Sequence, residues 1–180
     1  MSSATHQIEP EIAAWIAEQK LFFVATSPLA REGHINLSPK GGDSFRILGP
    51  QEAAYLDYTG SGAETCAHLR ENGRFTIMFC AFSGPPQIVR LYGQGSVTLP
   101  GEPEFEALIG KFPDNAGARS IIRLSITRVS KTCGWAVPQY TYRGDRDGLE
   151  KWAATKGPER LAEYREANNR RSIDDLPAFE

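Results

Sequence analysis

The run Ser38–Phe79, SPKGGDSFRILGPQEAAYLDYTGSGAETCAHLRENGRFTIMF, decides the fold. Phe45 and Ile47 alternate with their neighbours over Ser44–Leu48, a Gly49-Pro50 turn follows, and Ala53–Tyr58 is a second strand-forming run. Connections this short, including the one from the alternating Gly33–Ser38 run into Ser44–Leu48, leave no room for helical crossovers, so these strands are expected to pair as antiparallel hairpins. Gly60-Ser61-Gly62 then turns the chain into a helix expected over about Ala63–Glu71, closed by Asn72-Gly73 as a left-handed cap requires. Ser61 and Glu64 have the spacing of a capping box, in which each side chain satisfies a free backbone donor. The same stretch brings a Lys/Ser/Arg cluster (Lys40, Ser44, Arg46) into sequence proximity with a glycine turn and a helix start. That combination suits a dianionic phosphate, because free N–H groups and the positive helix end attract it and cations supply the countercharge. A carboxylate in the first helical turn repels such a group, so Glu64 must point away or hydrogen-bond to something other than phosphate.

Outward from this core, Pro10–Gln19 carries Ile12, Trp15 and Ile16 at helical spacing, with proline in the first turn. Leu21–Thr26, Gly33–Ser38, Arg74–Phe82, Ile88–Leu99 and Ile121–Lys131 read as further strands. Gly93 and Gly95 inside the long Ile88–Leu99 run indicate a bulge or a barrel corner. Glu102–Lys111 is expected to be a short helix. After Asp145 the tail carries Leu149, Trp152, Leu161 and Tyr164 on charged helical segments broken at Gly157-Pro158. The pattern is mainly β with peripheral α: one small antiparallel barrel domain over 1–180, with helical additions at both ends and a C-terminal extension from about 145.

A chain of 180 residues with a formal charge of −2 lacks the broad basic field of a nucleic-acid binder. It holds no apolar run of membrane-spanning length and no export signal, so a soluble cytoplasmic protein is expected. Cys66, Cys80 and Cys133 are odd in number and form no CxxC pair, which argues against a disulfide framework or a zinc site. Gly60-x-Gly62 fails as a dinucleotide fingerprint, because Thr65 stands at the third glycine position and no acidic residue closes the next strand at Cys80-Ala81-Phe82. His68 reads equally as a proton donor near a bound ligand and, four residues after Glu64, as half of a weak surface pair, and His34 is expected to be exposed. Cys66 and His68, two apart, cannot face each other as a nucleophilic pair. Trp135, Tyr140 and Tyr142 read first as anchors for a loop and second as stacking partners for a planar ligand. Arg170-Arg171 followed by Asp174-Asp175 reads as a solvated, locally paired segment. The Glu159–Arg171 run reads as a charged helix face, with docking on a partner subunit as the alternative.

Several runs, taken in order, resemble the pyridoxamine 5'-phosphate oxidase-like, FMN-binding split-barrel family. They are Phe22-Phe23-Val24-Ala25-Thr26, His34–Gly41 (HINLSPKG), Ser44–Leu48 (SFRIL), Ala54–Thr65 (AYLDYTGSGAET) and Leu91–Gly95 (LYGQG), with Cys133–Pro138 (CGWAVP) matching a subgroup. The likeness covers roughly residues 10–135. It implies a split antiparallel β-barrel, a homodimer, and flavin mononucleotide (FMN) at the dimer interface. By resemblance Arg46 and Ser61 hold the flavin phosphate, with Thr59 as a further hydroxyl donor. Ser38, Pro39 and Lys40 lie along the ring, Lys40 near its N1–C2 edge, and Gln94 is a polar ring contact. Ser44, Gly62 and Thr65 complete the implied cofactor set.

Members near the true oxidase carry a Ser-Arg-Lys run where this chain has Gly60-Ser61-Gly62-Ala63, so Arg46, Lys40 and Arg90 are expected to supply the countercharge. The C-terminal motif of the true oxidase is absent, so oxidation of vitamin B6 is not expected. What the resemblance implies is an FMN-dependent oxidoreductase acting on an unknown small molecule by hydride transfer at flavin N5, with no residue marked as acid or base. The alternatives are a flavin-storing or flavin-sensing protein without turnover, and the same fold holding a deazaflavin or haem.

Overall fold

The computed structural model describes residues 3–179. In chain order the elements are β1 (Ser3–Thr5), α1 (Pro10–Glu18), β2 (Phe22–Thr26), β3 (Asn36–Lys40), β4 (Phe45–Gly49), β5 (Glu52–Tyr58) and α2 (Glu64–Asn72). They continue with β6 (Arg74–Cys80), β7 (Ile88–Thr98), α3 (Pro103–Ile109), β8 (Ala118–Thr132) and α4 (Gly148–Asn168). All strand pairings are antiparallel, in the order β3-β2-β6-β7-β8-β5-β4, with β1 added beside β8. β8 is the spine of the sheet. One of its edges pairs with β7 along nearly its whole length, and the other is divided between β5 and β1.

β3 and β4 sit at opposite ends of that order, yet only residues 41–44 separate them in the chain. A link of this length spans at most about 17 Å, so the sheet must curl until its two edges approach. Phe45 of β4 accordingly meets Phe22 of β2 at 5.3 Å and Phe79 of β6 at 5.0 Å between ring centroids. The pairs β2–β3 and β4–β5 are hairpins as expected, but β3 and β4 are not paired with each other. Spacing alone had suggested a hairpin here; instead the chain crosses the mouth of an incompletely closed barrel.

Alternation fills the interior. In β2, Phe22, Val24 and Thr26 are buried while Phe23 and Ala25 are less so, and Ile77, Leu91, Ile122 and Leu124 meet them from the other strands. A buried side chain of this size contributes about 1.5–3 kcal/mol. The register of β7 against β8 shifts between Tyr92 and Gly93, the irregularity that the glycines foretold. Gly73 closes α2 with φ of 70°, as a left-handed cap. α3 covers Leu56 and Ile121 on the outside through Phe105.

α4 is bent into an elbow at Gly157 (φ 71°, ψ 169°), immediately before Pro158. The bend brings the rings of Trp152 and Tyr164 to 5.1 Å, with the Lys156 ammonium over both at 5.3 and 5.5 Å. Beyond α4 the tail folds onto α2, where Ala178 is fully buried against Ala63, Cys66 and Ala67.

Candidate cofactor cleft

A cleft of about 930 Å³ opens where the crossing link, the end of β3 and the start of α2 converge. Ser38, Pro39 and Lys40 of β3, Ser44 of the link, Gly62 of the turn and Thr65 of α2 all line it. These are six of the ten residues expected to hold a cofactor. Hydrogen bonds seat Ser44, Ser38 and Thr65. Ser44 donates to Gly41 O at 2.8 Å, which tightens the link. Ser38 donates to Asn36 Oδ1 at 2.8 Å, while the Asn36 amide donates to Thr65 Oγ1 at 2.9 Å and Thr26 Oγ1 at 3.1 Å.

The other four lie elsewhere. Arg46 faces a second, smaller cavity of about 440 Å³. Its guanidinium donates to both Asp43 carboxylate oxygens, to Asp43 O, to Phe45 O and to Lys111 O, and lies over the Phe112 ring. Those bonds commit it to the β3–β4 link and leave the cleft's positive charge to others. Thr59 is fully buried, donating to Gly117 O at 2.8 Å and accepting from Arg165 Nε at 2.8 Å. Ser61 is exposed between two lining glycines. Gln94 is exposed in β7, opposite Arg74 and Ser125 and outside the cleft lining. Arg90 donates to Thr132 Oγ1 at 3.3 Å and does not line the cleft either.

The cation the sequence reading missed is Arg119 of β8. Its Nε donates to Asp57 Oδ2 at 2.7 Å, its Nη1 to Gly60 O at 3.3 Å and its Nη2 to Gly62 O at 2.8 Å. Lys40 Nζ takes the other Asp57 oxygen at 2.9 Å. Burial pushes the Asp57 carboxyl upward, but the facing Lys40 and Arg119 charges outweigh it and hold the group below its ordinary value of 3.8. Because the folded value is depressed, the triad's stabilisation is present in full above the ordinary value and is lost as pH falls through the lower folded one. Asp57→Asn should therefore flatten the dependence of the urea midpoint on pH below about 4; an unchanged acid slope would show that Asp57 is not its source.

The turn before α2 differs from the expected capping box. α2 starts at Glu64, Ala63 is its N-cap, and Ser61 makes no side-chain cap bond. Glu64 reaches the tail instead, where its Oε1 accepts from Ile173 N at 3.3 Å. Its Oε2 passes so near Gly62 that a Cβ there would stand 2.7 Å away. Asn169, fully buried at the end of α4, donates through Nδ2 to Gly60 O at 2.8 Å and Ser61 O at 3.4 Å. The carbonyls of Gly60, Ser61 and Gly62 are thus all held by Arg119 or Asn169. Among the described residues, the N–H groups of Ser61, Gly62 and Ala63 have no hydrogen-bond partner.

The tail therefore docks on its own chain, not only as a charged helix face. Arg165 donates to Thr59 and to Ala118 O, and Asp174 accepts from His34 N at 2.7 Å and pairs with its ring Nδ1 at 2.6 Å. The expected local pairing holds for Arg171 with Asp175. His68 is no surface partner of Glu64: it is fully buried with Nδ1 2.9 Å from Thr26 Oγ1, and burial lowers its pKa. Burial also pushes the Cys66 thiol up to about 11, and its S–H donates to Ala178 O at 3.2 Å. All three cysteines are free. Trp135 is 84% exposed and so anchors nothing within the chain, while Tyr140 packs on Phe82 at 5.6 Å. No helix among the described residues is long and apolar enough to cross a membrane.

The arrangement has relatives. The chain is 41% identical over 182 residues to the pyridoxamine 5'-phosphate oxidase family protein ustO of Aspergillus flavus, a match covering 92% of this chain and 73% of that protein. A point variant of HupZ from Group A Streptococcus shares the fold at TM-score 0.55 and 22% identity, over 69% of this chain and 99% of that one. HutZ, a heme storage protein from Vibrio cholerae, aligns at TM-score 0.50 and 16% identity, over 72% and 98%. The curled, open sheet is the split barrel expected from the sequence. A family profile described as pyridoxamine 5'-phosphate oxidase matches residues 8–133, a span that holds the barrel, the crossing link, the glycine turn and Arg119. The chain belongs to the pyridoxamine 5'-phosphate oxidase family.

Proposed function

We propose that the chain is an FMN-dependent oxidoreductase of a small-molecule substrate, active as a homodimer. The observation that carries this reading is the Gly60–Gly62 turn, whose unpartnered amides stand beside Lys40 and Arg119 at a cleft of flavin size. Ligand sites of this kind occupy about 300–1,000 Å³, and the cleft's 930 Å³ falls within that range. The amides of Ser61, Gly62 and Ala63 would hold the phosphate, while Arg119, on the carbonyl side of the turn and bonded to Asp57, would set the turn and with Lys40 add positive charge to the cleft. Ser38, Pro39 and Lys40 would lie along the ring. When bound, the flavin supplies hydride transfer at N5, while the protein binds it, orients it and tunes its charge. No side chain of the cleft is marked as an obligatory acid or base, and a flavin-storing role without turnover is the alternative that turnover assays separate.

The test is an absorption spectrum of the purified protein, followed by titration of the apo form with FMN and riboflavin. Flavin bands and a strong preference for the mononucleotide are expected; equal affinity for both would remove the phosphate from the turn. Haem is the second reading, favoured by the likeness to HutZ. Against it, the cleft lining contains no His, Cys or Met among the described residues, the side chains that most often ligate haem iron. A Soret band in the spectrum would reverse the order of the two.

Glu64 supplies a second test. Its carboxylate lines the cleft beside the turn and opposes any phosphate there. Glu64→Gln keeps an acceptor for Ile173 N and should tighten FMN twofold to tenfold, about 0.4–1.4 kcal/mol, with riboflavin unchanged. Unchanged FMN affinity would place the phosphate away from α2.

A further inference from the structure

Asn169 lies over a hundred residues from the turn in sequence, in a tail outside the span that the family profile matches. It is fully buried, and its amide donates to two successive carbonyls of the turn, those of Gly60 and Ser61. The opposite orientation of the amide would set its oxygen against both carbonyls, so the network fixes which atom donates. Its own Oδ1 is buried without a partner. An orphaned acceptor is tolerated here together with two donated bonds to one turn, which points to the turn as what the residue serves.

Across a trans peptide the N–H points opposite the C=O, and there is no cis peptide among the described residues. Holding the Gly60 and Ser61 carbonyls on one side therefore turns the amides of Ser61 and Gly62 to the other. Arg119 does the same for Gly62 O, and so for the Ala63 amide. Gly60 has open space where a Cβ would stand, so nothing packed against it there fixes the turn. Orientation must come from the hydrogen bonds. The tail is itself secured by Arg165 on Thr59, Asp174 on His34 and Ala178 beneath α2.

We infer that Asn169 is a positioning residue for the phosphate of the cofactor, and that the C-terminal tail is a strap that sets the amides of the Gly60–Gly62 turn. The inference rests on the FMN reading above and extends it to residues no local motif connects to the site. Asn169 acts through the turn, so its loss should weaken binding of the phosphate far more than binding of the ring.

The experiment compares FMN and riboflavin affinities for wild-type protein, Asn169→Ala and Val89→Ala, with the apo melting temperature measured for each. Asn169→Ala should lower FMN affinity tenfold or more while changing riboflavin affinity less than twofold. Val89→Ala, which loosens the barrel core away from the tail and the turn, should lower the melting temperature and leave the FMN-to-riboflavin ratio at the wild-type value. If Asn169→Ala does not fold, Asn169→Leu, which keeps the side chain's bulk without any donor, supplies the ratio. A wild-type ratio in the folded Asn169 variant overturns the strap while leaving FMN in place. A wild-type protein that does not prefer FMN removes the cofactor reading and the strap with it.

Discussion

Arg119→Ala should lose about 3 kcal/mol of stability, the low end of the range for breaking a buried ion pair by deleting one partner. The reason is Asp57. Its side chain is 4% exposed and carries a charge that burial opposes, so two cations hold it ionised, and one of them would be gone. Lys40 would remain, but at 24% exposure it is the wetter of the two. The Gly60 and Gly62 carbonyls would lose their Arg119 donors at the same time. For a chain of this length 1 kcal/mol corresponds to about 2–4 °C, so the apo melting temperature should fall by about 6–12 °C. Arg119→Lys restores the charge without the forked reach to both carbonyls, and should recover only part of the loss. Chemical denaturation without ligand is the measurement; a loss under about 1 kcal/mol would mean that Lys40 alone suffices for Asp57.

Gly93→Ala should be equally severe for a different reason. A Cβ at Gly93 would stand 1.9 Å from Ser125 O and 3.1 Å from Ile126 Cα, so the obstacle is backbone in the neighbouring strand. The clash falls at the register shift between β7 and β8, the two longest strands, where no side chain can swing aside. Overpacking of this kind costs about 1–3 kcal/mol where neighbours can yield, and more where they cannot. We expect the variant to lose about 3 kcal/mol or to fail to accumulate as folded protein. Gly95→Ala is the control. Its Cβ would meet side-chain atoms of Leu69 and Phe75 at 2.6–2.9 Å, which can rotate, and should cost nearer 1 kcal/mol. Equal melting temperatures for the two variants would contradict the backbone argument.

What the sequence disclosed was what neighbouring residues settle among themselves. Pro10 at the first turn of α1, Gly73 in its left-handed cap and the break at Gly157-Pro158 are all local conformational requirements. The link between β3 and β4 was misread because a hairpin and a crossing of the barrel mouth have the same length; only the long-range order of the sheet separates them. Arg46 sits on the expected strand, but Asp43, three residues before it, had a nearer claim than any phosphate. Arg119 reaches Asp57 from 62 residues away, which no spacing rule detects. The available signal was Asp57 itself: a carboxylate inside AAYLDY must be buried, and a buried carboxylate requires cations from somewhere in the fold.

The elbow in α4 has a spectroscopic consequence. Residues 152 and 164 on a straight helix would stand about 18 Å apart, yet their rings touch because the chain doubles back at Gly157. With Trp15 and Trp135 replaced by Phe, the emission of Trp152 therefore reports whether the helix is folded back on itself. Since Arg165 and Asn169 lie just beyond Tyr164, the same light reports whether the tail is seated on the glycine turn. The protein carries its own fluorescent gauge for the part of the molecule that sequence reasoning connected to the site least.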